Sequence, residues 1–268
     1  MGEVRIGISG WRYEGWRGVF YPRGLAHARE LDYASRQLPT IEINGTHYSL
    51  QRPGSFDAWR DATPGGFVFA VKGSRFITHM KQLNDIERPL ANFFAQGVLA
   101  LGEKLGPLLW QFGPRFRFDP DKLEAFLDML PRDTDAAEAL ARRRDARMRG
   151  RSRLKADARG VLRHAVEIRH GSFIDDQFLA MLRRQRVALV VADTAGRFPH
   201  MEEVTTDFMY LRLHGDIELY VSGYGDEALD RWAQKIRGWR RRGDVYCYFD
   251  NDAKVHAPFD ARRLIDRL

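Results

Sequence analysis

The run Thr40-Ile41-Glu42-Ile43-Asn44 alternates polar and β-branched side chains without interruption. Such alternation predicts a β-strand, because successive side chains of a strand point to opposite faces. The two isoleucines then share one face and pack against helices, whereas the polar side chains share the other. A strand with this pattern is expected to turn its polar face toward the interior of a barrel.

Seven further β-branched or aromatic runs, each bounded by turn residues, predict the rest of the sheet. They are Val4–Ser9, Phe67–Lys72, Pro107–Phe112, His164–Arg169, Val187–Asp193, Phe208–His214 and Val245–Asp250. Several are apolar at nearly every position, which is typical of parallel strands covered on both faces. Most of the segments between these strands have apolar residues at helical spacing, for example Leu123, Phe126 and Leu130. Strands and helices in eightfold alternation predict an α/β protein with a single parallel (β/α)8 barrel of the TIM type.

The length of 268 residues fits one such barrel, which takes about 250 residues. We therefore expect one domain over residues 1–268. The connection between strands four and five is unusually long, and residues from about 132 to 162 are expected to form a basic insertion there. The sixth unit is only about twenty residues long, so its helix is expected to be short or replaced by a loop.

The basic excess of the chain is concentrated in one segment. The formal net charge is +7, and Arg142–Arg159 contains nine basic and two acidic residues, so the remainder is neutral. The stretch 147–159 has little apolar periodicity and is expected to be an exposed basic loop. Clustered arginine also suits an anionic partner such as nucleic acid. Both interpretations of Arg142–Arg159 stay open at the level of the sequence.

Composition and missing motifs exclude several classes of protein. Hydrophobic residues make up 44% and charged residues 29%, which is typical of a globular domain. No apolar run reaches the ~18 residues of a membrane span, and the N-terminus has no apolar targeting segment, so we expect a cytoplasmic protein without a membrane partner. Cys247, the single cysteine, is expected to be a buried thiol. The sequence contains no glycine-rich nucleotide motif and no G-x-S-x-G hydrolase motif.

Charged side chains cluster at the carboxyl ends of the predicted strands, where active sites of this fold are built. Glu42 and Glu167 are candidates for a pair of acid–base carboxylates, and His214 is a candidate general base or metal ligand. Lys72, Arg169 and Arg212 are candidates for binding a phosphate or carboxylate group of a substrate. The loop after the first strand adds Trp11 and Tyr13, whose rings either line a pocket or pack the loop.

Two other interpretations of this cluster stay open. The charges could form a buried ion-pair layer that closes the barrel mouth and binds nothing. Alternatively, the cluster could hold a divalent metal, although no ligand spacing such as H-E-x-x-H supports it. The metal ligands would then be Glu167, Asp193, His214 and Asp250. The sequence leaves the cofactor and the oligomeric state undetermined.

An ordered set of motifs along the chain resembles the DUF72 (YecE-like) family. The set comprises Gly7–Tyr13, Phe20–Pro22, Ile41–Asn44 with Tyr48, Phe67–Lys72 with His79, Gln111-Phe112, Ala165–His170, Asp193, Arg212–Gly215 with Tyr220, and Tyr248–Asp252. The resemblance covers essentially the whole chain and implies a TIM-type barrel, but it implies no settled activity. Two positions depart from the pattern of the family, since His47 replaces an aromatic residue and Asp250 replaces an asparagine.

These observations lead to one functional expectation and two alternatives. We expect an enzyme of the hydrolase or isomerase type that acts on a small polar or anionic substrate at the C-terminal mouth of the barrel. The alternatives are a nucleic-acid-binding or accessory protein that uses Arg142–Arg159, and a non-catalytic sensor of a small ligand. The predicted catalytic residues are Glu42, Glu167 and His214, and the predicted substrate-binding residues are Trp11, Tyr13, Asn44, Tyr48, Lys72, His79, Gln111, Arg169, Asp193, Arg212, Tyr220 and Asn251.

Overall fold

A computed structural model describes residues 1–268, and its eight strands close into a parallel barrel. The strands are β1 (Val4–Ser9), β2 (Thr40–Ile43), β3 (Val68–Lys72), β4 (Leu105–Gln111), β5 (His164–Glu167), β6 (Ala188–Asp193), β7 (Phe208–Leu213) and β8 (Asp244–Phe249). Each strand pairs with its neighbours in sequence, and β8 pairs with β1 to close the ring. The predicted TIM-type fold is confirmed, and the predicted strand bounds differ from the observed ones by at most two residues.

Helices cover the outside of the barrel. They are α1 (Glu30–Gln37), α2 (Gly45–Tyr48), α3 (Pro53–Asp61), α4 (Glu87–Ala95), α5 (Pro120–Met129), α6 (Thr134–Arg142), α7 (Asp176–Gln185), α8 (Asp226–Trp239) and α9 (His256–Ile265). Capping residues determine where several of them begin. Asp119 accepts a hydrogen bond from the backbone N–H of Lys122 at 3.1 Å, and Pro120 starts α5 with a backbone angle that suits a helix.

Two connections depart from simple alternation of strand and helix. Residues 194–207, between β6 and β7, form a loop without a helix, as the short sixth unit predicts. The apolar stretch from Leu90 to Leu101 has the spacing of one long helix but is broken at Gly97. Gly97 adopts a φ of 116°, which glycine reaches at little cost, so α4 ends at Ala95 and a 3-10 helix follows at Val98–Lys104.

The barrel interior changes character along its axis. Its lower layers combine large rings with small side chains: Val68, Ala70, Leu109, Ala165, Ala188, Val190, Ala192, Phe208, Tyr210, Tyr246 and Tyr248. Rings from β7 and β8 fill the space that the alanines leave, which keeps the interior close-packed. The same inward positions further along the strands are polar or charged, and they form the upper layer: Ser9, Glu42, Lys72, Gln111, Glu167 and Arg212. The strand pattern therefore places a charged layer at the C-terminal mouth.

The basic segment between β4 and β5 is attached to the barrel surface. The backbone N–H of Arg153 donates to the carbonyl of Ala95 at 2.9 Å, and Met148 is almost completely buried. Arg153 forms an ion pair with Asp157 at 2.6 Å, and Arg159 forms one with a carboxylate of α6. The expected exposed loop is therefore held at several points, and part of its positive charge is neutralised within the chain.

No helix of the structure is both long enough and apolar enough to cross a lipid bilayer. Cys247 lies on the outward face of β8 in the core between strands and helices and is completely buried, as expected. Burial raises the pKa of its thiol, which keeps the sulfur protonated.

Candidate functional site at the barrel mouth

Arg212 links the charged layer at the mouth. Its side chain extends from the end of β7 and is completely buried. Its Nη2 donates to Glu42 Oε1 and to Asp250 Oδ2, both at 2.8 Å, and its Nη1 donates to Glu167 Oε2 at 3.0 Å. A guanidinium suits this position because it presents five donors in fixed directions. One cation thus connects carboxylates that come from β2, from β5 and from the residue after β8.

Glu42 uses both of its carboxylate oxygens within the protein. Oε1 accepts a hydrogen bond from Ser9 Oγ at 2.6 Å, and Oε2 accepts one from the hydroxyl of Tyr210 at 2.6 Å. Each oxygen also accepts a hydrogen bond from Arg212. Asn44 Nδ2 donates to Ser9 Oγ at 2.9 Å and connects the loop after β2 to this network. These contacts leave Glu42 no free oxygen for a substrate, so they favour a role in positioning Arg212.

Glu167 is held by two neighbours besides Arg212. Its Oε2 accepts a hydrogen bond from Gln111 Nε2 at 2.8 Å, and its Oε1 accepts one from Arg169 Nε at 3.2 Å. Burial by itself raises the pKa of this carboxyl, but the positive charges of Arg212 and Arg169 hold the pKa of Glu167 well below its usual value. Glu167 is therefore ionised at neutral pH, with its Oε1 at 3.8 Å from His214 Nε2.

His214 and Asp250 form a contact pair beside Arg212. His214 Nδ1 lies 3.0 Å from Asp250 Oδ2, although the two atoms lack the alignment of a hydrogen bond. Burial raises the pKa of Asp250, but Arg212 and His214 outweigh burial and lower it. The ring of Tyr220 packs edge-on against His214, and the Tyr220 hydroxyl accepts a hydrogen bond from Arg169 Nη2 at 3.1 Å. Tyr220 has a φ of 65°, and such strain in a residue other than glycine is concentrated at functional sites.

Lys72 differs from the other charges of this layer because its amine has no partner. The side chain extends inward from the end of β3 and is only 7% exposed, yet it makes no hydrogen bond and no ion pair. Burial and the nearby charge of Arg212 lower the pKa of Lys72 to about 8, although the carboxylates of the layer act in the opposite direction. An amine in this state can bind an anion or react as a base or nucleophile.

Two histidines lie on the side of the mouth next to Lys72. His47, on α2, contacts the carbonyl oxygen of Gly73 through Nδ1 at 2.8 Å. Burial, with a further contribution from Lys72, lowers the pKa of His47 to about 3. Burial likewise lowers the pKa of His79, whose ring packs edge-on against that of His47. Both rings are therefore neutral at pH 7, and because the single N–H of His47 is donated to Gly73, the other ring nitrogen of His47 can only accept a hydrogen bond.

Asp252 is a carboxyl at the mouth that belongs to the Tyr248–Asp252 motif but was not among the predicted site residues. Burial and the negative charge of Asp250 raise its pKa to about 6. Tyr13 lies close to Asp252, and its own pKa is raised well above the usual value, first by burial and then by Asp250. The segment Asp250-Asn251-Asp252 has the composition of an ordinary polar turn. Its position directly after β8 was the signal that could have identified Asp252.

An open cavity of about 350 Å³ lies at the loops that follow β1 and β2. It is lined by Gly10, Trp11, Arg12, Tyr13, Asn44, Gly45, Tyr48, Gln51 and Trp59. Trp11 packs edge-on against Trp59, and Tyr48 is largely exposed at the rim. The Oδ1 atom of Asn44 is buried without a hydrogen-bond partner, while its Nδ2 contacts the charged layer through Ser9. The volume is that of a small-molecule site, and Asn44 connects it to the charges.

Asp193 and Asn251 lie away from this cluster. Alternate residues of β6 fill the barrel, so Asp193 is on the outer face of the strand, where its Oδ2 accepts a hydrogen bond from Tyr224 at 3.0 Å. It lines a separate cavity of about 250 Å³. Asn251 is completely buried and donates to the carbonyl of Ser222 and to Asp260, both at 3.0 Å. These contacts favour a structural role for Asn251, between the loop after β8 and α9.

The structure contains no group of three or more His, Cys, Asp or Glu side chains arranged to hold a metal ion. Among the four predicted metal ligands, Asp193 points away from the barrel interior. The guanidinium of Arg212 contacts both Glu167 and Asp250 and occupies the space between these carboxylates. The residues at the mouth are therefore arranged around a fixed cation of the protein itself.

Comparison with known proteins agrees with this architecture. Residues 5–268 match the family described as "Protein of unknown function DUF72". The chain belongs to the DUF72 family. The UPF0759 protein YecE of Escherichia coli (strain K12) is 24% identical to it over 272 aligned positions, which cover 95% of this chain and 89% of YecE. The UPF0759 protein YunF of Bacillus subtilis (strain 168) is 26% identical over 118 residues, which span 42% of this chain and only 41% of YunF.

A solved DUF72 structure has the same fold. The crystal structure of a DUF72 family protein from Thermotoga maritima superposes with a TM-score of 0.75 at 25% identity, and the match covers 98% of both chains. The resemblance deduced from the motifs is therefore confirmed. The description of the DUF72 family assigns no activity, and a barrel of this kind supports many chemistries, so the function has to be argued from the mouth.

Proposed function

We propose that the protein is an enzyme of the isomerase or hydrolase type that transfers protons on a small polar substrate carrying an anionic group, bound at the C-terminal mouth of the barrel. The observation that carries this proposal is Lys72, whose side chain is only 7% exposed and whose amine lacks any protein partner in a layer where the other charges are paired. A buried, unpaired ammonium lowers stability, so its presence is best explained by a ligand that completes its contacts.

The contacts at the mouth divide the charged residues into two groups. Arg212 and Glu42 have committed their polar atoms to each other and to neighbouring groups, so they position the layer. Lys72 and the Nη1 atom of Arg169 have no hydrogen-bond partner and are available for an anionic group. A phosphate or carboxylate bound by either of these cations would form charge-assisted hydrogen bonds, which are stronger than neutral ones.

Two groups at the mouth have pKa values close to neutral pH, as proton transfer requires. Asp252 has a pKa of about 6 and is the candidate general base above that pH. Lys72 has a pKa of about 8 and is the candidate cation, or proton donor, below that pH. The proposed activity therefore depends on pH, and kcat/KM is expected to fall below about pH 6, where Asp252 becomes protonated.

The first test is ligand binding to a panel of small phosphates and carboxylates, measured as a shift in melting temperature. Lys72→Met should weaken binding roughly 10- to 100-fold, because a hydrogen bond to a charged group contributes about 1.5–3 kcal/mol. Lys155→Met is the matched control, since Lys155 is exposed in the segment between β4 and β5. A ligand that binds the Lys72→Met protein as tightly as the wild type contradicts the proposed site.

The second test is turnover of a ligand found in this way. Asp252→Asn should lower kcat by roughly 100- to 10,000-fold if this carboxyl transfers the proton, and it should remove the acidic limb of the pH profile. Glu167→Gln should lower the activity as well, because it weakens the arrangement of Arg169 and Arg212. Unchanged kcat in both variants would contradict acid–base catalysis at this site, and specific binding without any turnover would identify a sensor.

A further inference from the structure

We infer that Lys72 is a nucleophile that forms an imine with a carbonyl carbon of the substrate, so the substrate class is a small aldehyde or ketone that also carries an anionic group. This inference rests on the proposed function and deepens it, because it names the reacting atom of the protein and the functional group of the substrate. The inference is based on the geometry of Lys72. Its side chain ends inside the mouth and is more than nine-tenths buried, and its nitrogen has no partner within the protein.

The amine of Lys72 differs from those of two other lysines of the chain in having no partner. The amine of Lys104, at the opposite end of the barrel, donates three hydrogen bonds, to the carbonyls of Arg60 and Thr63 and to the Thr63 hydroxyl, at 2.6, 2.7 and 3.0 Å. Lys81 is more exposed and lies 3.6 Å from Asp85. Each of these two amines therefore has a partner within the chain, which Lys72 lacks.

Imine formation needs the neutral amine, and the surroundings of Lys72 supply it. With a pKa of about 8, about a tenth of the Lys72 amines are neutral at pH 7. This fraction is roughly 300 times that of a lysine with the ordinary value of 10.5. The attacking form is thus present at neutral pH without a separate base to generate it.

The reaction balances without an added oxidant or reductant. The nitrogen lone pair of Lys72 forms a bond to the carbonyl carbon, and the electron pair of the C=O π bond moves to oxygen. One proton passes from nitrogen to that oxygen, which gives a carbinolamine. The C–O bond then breaks, a second proton leaves nitrogen with the oxygen as water, and the C=N bond of the imine forms.

The charged layer also suits the protonated imine. Arg212, Arg169 and Lys72 supply three positive charges, and Glu42, Glu167 and Asp250 supply three negative ones. A protonated imine has the same charge as the ammonium group from which it forms, so the balance of the layer is unchanged. The nearby carboxylates stabilise this cation through the low-dielectric interior. The protonated imine withdraws electrons from the neighbouring carbon, so the C–H bonds of that carbon become more acidic. An isomerase that moves a proton at this carbon needs this acidity.

The experiment traps the imine by reduction. The full-length protein is incubated at pH 7.5 with pyruvate, and separately with dihydroxyacetone phosphate, and sodium borohydride is then added. We expect one covalent adduct per chain with at least one of these probes, located on Lys72 by peptide mass spectrometry. Lys72→Arg and Lys72→Met should give no adduct, whereas Lys104→Arg should react like the wild type. No adduct with either probe, or labelling spread over the exposed lysines, overturns the inference.

Lys72→Arg separates this inference from the proposed function, because arginine keeps the positive charge but cannot form an imine. If Lys72→Arg retains turnover of the natural ligand, the amine acts through its charge, the imine is ruled out, and the proposed function stands. If Lys72→Arg binds the ligand but loses turnover while the wild type is trapped by borohydride, both stand. If neither wild type nor variant binds small anions at the mouth, the proposed function fails along with the inference.

Discussion

Two neighbouring cations at the barrel mouth differ in how their burial is compensated. Arg212 contacts three carboxylates, whereas the amine of Lys72 contacts none. Removing an ammonium group from water costs several kcal/mol, and only partners offset that cost. A residue kept for the fold alone would be expected to have a partner. Lys72 is therefore the position at which stability and function are expected to conflict.

We predict that Lys72→Met raises the free energy of unfolding by roughly 2–3 kcal/mol at pH 6. The pKa of Lys72 is about 8 in the folded protein, against an ordinary value of 10.5, so the folded state binds this proton more weakly than the unfolded chain does. The cost is fully present below pH 8 and disappears as the pH rises toward 10.5. The gain from the substitution should therefore shrink between pH 8 and pH 10, which urea titrations at both values can measure.

Lys104→Met is the matched control for this prediction. Its amine donates three hydrogen bonds to Arg60 and Thr63, so its removal leaves those acceptors unpaired and should lower the free energy of unfolding by about 1–2 kcal/mol. If Lys72→Met is destabilised to the same extent, Lys72 supports the fold, and the main argument for a functional amine is lost.

At the scale of residues, the sequence identifies side chains where a strand alternates cleanly. In β2 and β5 the polar residues stand out against isoleucine and valine, so the inward positions of Glu42 and Glu167 can be deduced. In β6 every residue before Asp193 is apolar, so the face of Asp193 cannot be deduced from the pattern. The pairing of each charge depends on distances between strands, which is why the isolation of Lys72 emerges only from the structure.

Among the elements of the fold, β1 and β2 approach so closely at one position that only glycine fits. A Cβ atom on Gly7 would lie 1.8 Å from the carbonyl oxygen of Thr40, the residue that pairs with Gly7 in the ladder. Backbone atoms of two paired strands cannot separate without breaking the sheet. Because Ser9 and Glu42 lie two residues further along these strands, the close approach at Gly7 also sets the position of the charged layer.

We predict that Gly7→Ala lowers the free energy of unfolding by about 3 kcal/mol or more, because the new methyl group collides with fixed backbone. The matched control is Gly15→Ala in the loop after β1, where a Cβ atom would meet nothing within 4 Å. Urea unfolding midpoints of the two variants and the wild type measure the difference. Equal midpoints for Gly7→Ala and Gly15→Ala would mean that the β1–β2 contact is not as tight as the structure has it.

The sequence predicts best those elements whose own residues carry a regular pattern or a capping signal. Strand alternation and the Asp119-Pro120 start of α5 are local signals, so β1 to β8 and this helix can be found without knowledge of their neighbours. The end of α4 depends on Gly97, which packs closely against Pro53 and Phe56 of α3, a contact between segments far apart in the sequence. The attachment of Arg153 to Ala95 joins segments far apart in the chain, and no local pattern indicates it.

For the whole molecule, the net charge of +7 does not describe the surface that a partner meets. All of the excess lies in Arg142–Arg159, yet Arg142, Arg153 and Arg159 form ion pairs with acidic residues of the chain. Arg144, Arg149 and Arg151 remain as the arginines of this segment without such pairs. Three free arginines provide far fewer phosphate contacts than the raw charge of the segment implies.

We predict that duplex DNA binds weakly at physiological salt, with a slope of about −4 or shallower in a plot of log affinity against log salt concentration, because these three arginines and Lys155 can neutralise about four phosphates. Fluorescence anisotropy with a labelled duplex over a range of KCl concentrations measures this slope. Replacing Arg144, Arg149 and Arg151 by serine should remove most of the remaining binding, whereas Lys72→Met should not affect it. Tight binding with a salt slope much steeper than −4, lost in the triple variant, would instead assign the function to the basic segment, with the barrel as its scaffold.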